Sequence, residues 1–112
     1  MNRQVKWSFD AKSDLVKIIS YIKEISGPTT ARQVYDRIKE KTAKCTNYPE
    51  GYRIIPELQE IGMLEYREII ESPLRIFFRV TDEEIRIISV IDERRNVEDL
   101  LYKKVMEGKL RS

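Results

Sequence analysis

Histidine is absent from this chain of 112 residues, and cysteine occurs once, at Cys45. Without an imidazole the chain lacks the side chain that usually serves as general base near neutral pH. A lone thiol excludes an internal disulfide, and with no histidine beside it a zinc site has too few ligands. No metal and no cofactor are therefore expected. No run of about 18 apolar residues occurs, so no membrane span is expected either. Met1 to Phe9 alternates polar and apolar residues and lacks the continuous apolar stretch of a signal peptide. Together with the single thiol, this fits a cytoplasmic protein. Repeats, low-complexity stretches and linkers are also missing. At this length one domain spanning 1–112 is expected, with one core.

Charge is what the chain has in quantity: 36% of residues are Asp, Glu, Lys or Arg, although the formal net charge is only +2. Between Cys45 and Tyr102 every basic residue is an arginine: Arg53, Arg67, Arg75, Arg79, Arg86, Arg94 and Arg95. Arginine offers a rigid fork of donors suited to phosphate or carboxylate, whereas lysine is a flexible point charge. The partners of these forks are either an external anion or the chain's own Glu65, Glu68, Glu71 and Asp92. Residues 63–112 carry ten basic and eleven acidic side chains, so this is no basic patch, and for most of the seven internal pairing is the simpler reading.

Periodicity yields an α+β fold. Val5, Trp7 and Phe9 alternate with Lys6 and Ser8, as in a strand with one buried face. Ser8 or Asp10 is placed to cap a helix. Ala11, Leu15, Ile18, Ile22 and Ile25 then recur at helical spacing until Gly27-Pro28 stops the pattern. A second helix starts at Thr29-Thr30 and carries Ala31, Val34, Tyr35, Ile38 and Cys45 along its inner side, making a helical hairpin. Cys45 on that stripe reads as a small core residue rather than a nucleophile. Tyr52 to Ile55 and Leu64 to Ile70 read as strand. In the clearest strand, Leu74, Ile76, Phe78 and Val80 share one face and Arg75, Phe77 and Arg79 the other. Thr81 to Glu84 turns into a central strand, Ile85 to Ile91, and Asn96 caps a last helix with Val97, Leu100, Leu101 and Val105 inward. The expected architecture is an N-terminal strand, a helical hairpin, an antiparallel meander and a C-terminal helix. Its helices would cover one sheet face and leave Arg75 and Arg79 displayed on the other.

The opening "VKWSFDAKSDLVKIISYI", the string "YPEGYRIIPELQEIGMLEYREIIESPLRIFFRV" and the closing "ISVIDERRNVEDLL" resemble, in order, the RelE/ParE family of toxins. The shared features are Pro-Glu-Leu, Tyr-Arg-Glu, an Arg-Ile strand before an aromatic, and a terminal Arg-Arg. The resemblance implies the toxin of a type II toxin–antitoxin module of the plasmid-stabilisation kind. Such a toxin is neutralised by a cognate antitoxin in a hetero-oligomer.

It leaves two chemistries open on one fold. In the RelE-like one, messenger RNA is cut on the ribosome by a metal-independent endoribonuclease. The resemblance then gives catalytic roles to Glu57, Arg75, Arg95 and Tyr102, with Glu57 as base and Arg75 on the phosphate. In the ParE-like one, the toxin is a non-enzymatic inhibitor of DNA gyrase. Arg67, Arg75, Arg79, Arg94 and Arg95 are then binding or framework residues. Tyr66 and Glu68 stand where RelE carries lysines, and a carboxylate repels phosphate unless an arginine compensates it. These departures favour the gyrase reading. A third alternative is an inactive remnant that only binds antitoxin.

Overall fold

The computed structural model describes residues 3–111; Met1, Asn2 and Ser112 lie outside them. The chain runs β1 (Gln4–Trp7), α1 (Phe9–Ser26), α2 (Pro28–Lys44), α3 (Pro56–Gln59), β2 (Tyr66–Glu71), β3 (Leu74–Val80), β4 (Glu84–Asp92) and α4 (Val97–Met106). Short 3-10 turns occur at Cys45–Asn47, Pro49–Gly51 and Lys109–Arg111. The four strands form one sheet in the order β1-β4-β3-β2, antiparallel except that β1 runs parallel to β4. Among the described residues no helix is long and apolar enough to cross a membrane.

Local chemistry accounts for the boundaries. Ser8 is the cap of α1, its hydroxyl accepting from the Ala11 amide at 3.1 Å. That satisfies one of the free N–H groups at the helix start. Gly27 ends α1 and begins α2 with φ of 89°, a left-handed value that favours a residue without Cβ. Asn96 caps α4 by accepting from the Asp99 amide.

The helical hairpin packs on one sheet face. Ala11, Leu15, Ile38 and Cys45 meet Ile69, Leu74, Ile76, Phe78, Ile85, Ile87 and Val90 there. This is the register that alternation along β3 predicts. The opposite face differs from expectation. A second core covers it, in which Ile55, Leu58, Val97, Leu101 and Leu110 pack on Tyr66, Phe77, Ile88 and Ile91. Phe77 is therefore as buried as Phe78, both fully, and Arg75 is buried rather than displayed. The cause lies in the connections. The inward stripe of α4 shows in its spacing but not the face it covers, while α3 and the last 3-10 turn each add one buried apolar side chain, too few to register as a period, and all converge on one face. Tyr52 to Ile55 forms no strand either, contributing only one bridge, Ile54 to Arg67.

The chain leaves the sheet edge at Ser8, so β4 runs on past its partner β1. Asp14 of α1 covers the uncovered edge. Its carboxylate accepts from the Ser89 hydroxyl at 2.7 Å, the Val90 amide at 3.0 Å and Lys104 Nζ at 3.3 Å. Opposite this point the β3–β4 register shifts by one residue between Phe77 and Phe78, as in a β-bulge. Lys104 also pairs with Asp10, so one half-buried cluster ties α4 to the start of α1.

Candidate functional site

Two places hold the residues picked out from the sequence. The first is a chain of charges on the α3 side of the sheet. Pro56 starts the single turn of α3 and sets Glu57 over β3, where Arg75 rises from the sheet. Arg75 Nη1 and Nη2 donate to the two Glu57 oxygens at 2.9 and 2.8 Å. Its Nε and Nη2 donate to the two Glu68 oxygens at 2.6 and 3.1 Å. Glu68 Oε2 also accepts from Arg53 Nε at 2.5 Å. The guanidinium lies 5.3 Å from the centre of the Phe77 ring, a favourable cation–π placement.

Arginine has five N–H donors in a fixed fork. Four are committed to carboxylates in two bidentate pairs. The four side chains Arg53, Glu68, Arg75 and Glu57 sum to zero charge. Glu57 hydrogen bonding raises the pKa of Arg75 against the opposing effect of burial, with Glu68 adding to the rise. The same hydrogen bond from Arg75 lowers the pKa of Glu57 below its ordinary value, making it a poorer base. Tyr102, partly exposed on α4, has its phenol pKa raised by desolvation, then by Glu98, Glu60 and Glu57. It stays protonated at neutral pH.

Glu57 and Arg75 are thus brought together, with Tyr102 within the field of Glu57. Arg95 is not among them. It is exposed on the turn between β4 and α4. Of the other arginines, Arg67 donates to the Tyr52 carbonyl at 2.6 Å, and Arg94 is exposed but forks onto Asp92. Arg79 is half-buried, with its Nε enclosed and lacking an acceptor.

The second place is a groove of about 550 Å³ where the helical hairpin overhangs the end of the sheet. Ile18, Tyr21, Ile22, Ile25 and Val34 form its helical wall, Leu74, Val90 and Ile91 its sheet wall, and Lys17, Arg37, Arg94 and Arg95 stand at it as cations. Asp14, Glu71 and Asp92 also line it. Each is already engaged: Asp14 by Lys104, Glu71 by Arg37 and Lys41, and Asp92 by Arg94. Sequence reasoning missed this groove, because Ile25 looked like one more inward residue of an apolar stripe. Instead Tyr21 and Ile25 are 59% and 61% exposed. No local signal marks the groove, since Ile22 and Ile25 continue the helical spacing of Leu15 and Ile18.

Residues 5–97 match the family described as ParE toxin of type II toxin-antitoxin system, parDE. The fold is similar to a solved structure described as the chromosomal ParDE TA system from P. aeruginosa. The TM-score is 0.66 at 23% identity, over 80% of this chain and 95% of that one. None of the curated proteins matches the sequence significantly. The family match covers most of the chain, including the charge chain and both walls of the groove. The chain belongs to the ParE toxin family of type II toxin–antitoxin systems.

Proposed function

We propose that this protein is a toxin that acts by binding rather than by catalysis, with DNA gyrase as its target, and that a cognate antitoxin neutralises it. The observation that carries the reading is the state of Arg75. A metal-free ribonuclease needs a cation free to meet charge that develops on the phosphate. Here Arg75 is held by Glu57 and Glu68, and the same contact occupies the carboxylate that would serve as base. Releasing Arg75 to RNA would leave Glu68, whose side chain is fully buried, with a weakened partner set. Uncompensated buried charge is costly.

The groove supports the antitoxin half of the reading. Its apolar walls and exposed Tyr21 and Ile25 suit an amphipathic segment, and Lys17 and Arg95 at its edge suit acidic residues on that segment. Segments that fold on binding bury large apolar areas and give a negative heat-capacity change.

The test is to induce the protein and examine both trapped gyrase–DNA complexes and messenger RNA ends. Trapped complexes without codon-phased RNA cuts are expected. Codon-phased cleavage without trapped gyrase would replace the target with the ribosome. Absence of growth arrest alongside intact antitoxin binding would mark an inactive remnant.

A further inference from the structure

On the face opposite the helical hairpin, one row of the sheet is built from like charges. Lys6 of β1 is the register partner of Arg86 of β4, and Arg86 is the partner of Arg79 of β3. Arg79 is in turn the partner of Tyr66 of β2. Partners across a sheet point to the same face. The row therefore crosses the whole sheet as cation, cation, cation and phenol, the cations on strands about 4.8 Å apart. Lys6 is exposed and Arg79 half-buried. Glu84 reaches Arg86 at 3.4 Å, but among the described residues no carboxylate pairs with Lys6 or Arg79. The Arg79 Nε and the Tyr66 hydroxyl are enclosed and accept or donate no hydrogen bond.

Like charges directly opposite one another destabilise a sheet. A buried donor without an acceptor adds a further cost. A solvated edge would not need either feature, since any neutral polar residue would serve at Lys6 or Arg79. We infer that this row is a docking site for a short acidic stretch of the antitoxin, a second contact separate from the groove. The inference rests on the functional reading above that an antitoxin binds this chain.

Charge complementarity selects a peptide over a nucleic acid. Lys6 and Arg79, flanking the Glu84-paired Arg86 on strands spaced about 4.8 Å, match two carboxylates on one turn of helix or one short strand. A phosphate backbone extends much further and would run into Glu84 at one side of the row. At the neighbouring end of β2 it would meet Glu65, which Arg111 approaches at 3.5 Å.

The experiment measures antitoxin binding by titration calorimetry at several salt concentrations, for the wild type, Arg79→Met and Lys6→Glu. Arg79→Met removes the central clash and the orphaned donor, so its Tm should equal or exceed that of the wild type. Its Kd for antitoxin should nonetheless rise about tenfold at low salt, with a shallower salt dependence. Lys6→Glu, at an exposed edge that tolerates change, should weaken binding in the same direction, which guards against a folding defect in the first variant. Wild-type affinity and salt slope in both variants would overturn the docking site while leaving the antitoxin assignment intact. Failure of the wild type to bind antitoxin at all would overturn the functional reading instead. Capture of a single-stranded oligonucleotide by the wild type, lost in both variants, would overturn the choice of a peptide.

Discussion

Glu68 and Arg75 lie on neighbouring strands and share two hydrogen bonds, the shorter 2.6 Å, with the Glu68 side chain wholly removed from solvent. A carboxylate in that position cannot be solvated by water, so its charge is compatible with folding only while Arg75 and Arg53 stay in place. The pair makes Arg75 part of the framework of the second core.

Removing one member should therefore unfold rather than inactivate. Glu68→Ala leaves the buried guanidinium with Glu57 alone and is expected to cost about 3 kcal/mol. Arg75→Ala leaves the fully buried Glu68 to Arg53 alone and should cost a similar amount. Chemical denaturation would measure both. Arg75→Ala with an unchanged midpoint and lost activity would return this residue to a catalytic role.

Acid should loosen the same network. The hydrogen bond from Arg75 depresses the pKa of Glu57 below its ordinary value of 4.5. A depressed native pKa contributes stability that is complete above the unfolded value and lost as pH falls through the folded one. Thermal melts from pH 7 downward should show a loss beginning near pH 4.5, shallower in Glu57→Gln. Parallel curves for the two proteins would contradict this linkage.

Phe77 and Phe78 point to opposite faces, and both are fully buried. Truncating either to alanine should cost about 3–5 kcal/mol. The informative comparison is Phe77→Ala, because a sheet covered on one face only would tolerate it. A cost under about 1 kcal/mol at Phe77 would argue against the second core as described.

The groove predicts a surface change with a binding effect alone. Tyr21→Glu, at a position 59% exposed, should leave stability within about 0.5 kcal/mol of the wild type. Antitoxin affinity should fall by at least about tenfold as an apolar contact is replaced by a charge. Calorimetry on the folded variant decides this, and unaltered affinity would place the antitoxin elsewhere.

Cys45 offers a probe of global opening. Burial, with a smaller contribution from Glu50, pushes its thiol up to about 12. Thiolate is the reactive form, so the native protein should resist thiol reagents at neutral pH. Labelling should track unfolding across a denaturant series. Rapid labelling without denaturant would mean that the turn at the end of α2 opens locally.

Much of this molecule follows from periodicity and capping alone. The spacing of Ala11, Leu15 and Ile18, the stop at Gly27-Pro28 and the alternation from Leu74 to Val80 are local signals. A helix and a strand bury one face at a fixed period, so element type, order and the hairpin-side core could all be read directly. The paired reading of most arginines was legible too, since residues 63–112 carry ten basic and eleven acidic side chains. Glu68 and Asp92 were among the acids offered as partners, and the pairing of β2 with β3 brings Glu68 to Arg75. Glu57 was not, because it meets Arg75 only where α3 folds back over β3, and nothing in the spacing of 57 and 75 says so.

Three further features belong to the tertiary structure. The second core joins the inward stripe of α4 to single apolar residues on α3 and the last 3-10 turn, elements too short to show a period, and local pattern does not say which sheet face they share. The groove lies between the later turns of α1 and the end of the sheet, and it shows only once both are placed. The cation row requires the parallel pairing of β1 with β4, which sets Lys6 beside Arg86. Local patterns depend on neighbours along the chain. Faces, partners and rows depend on which strand lies beside which, and long-range packing alone decides that.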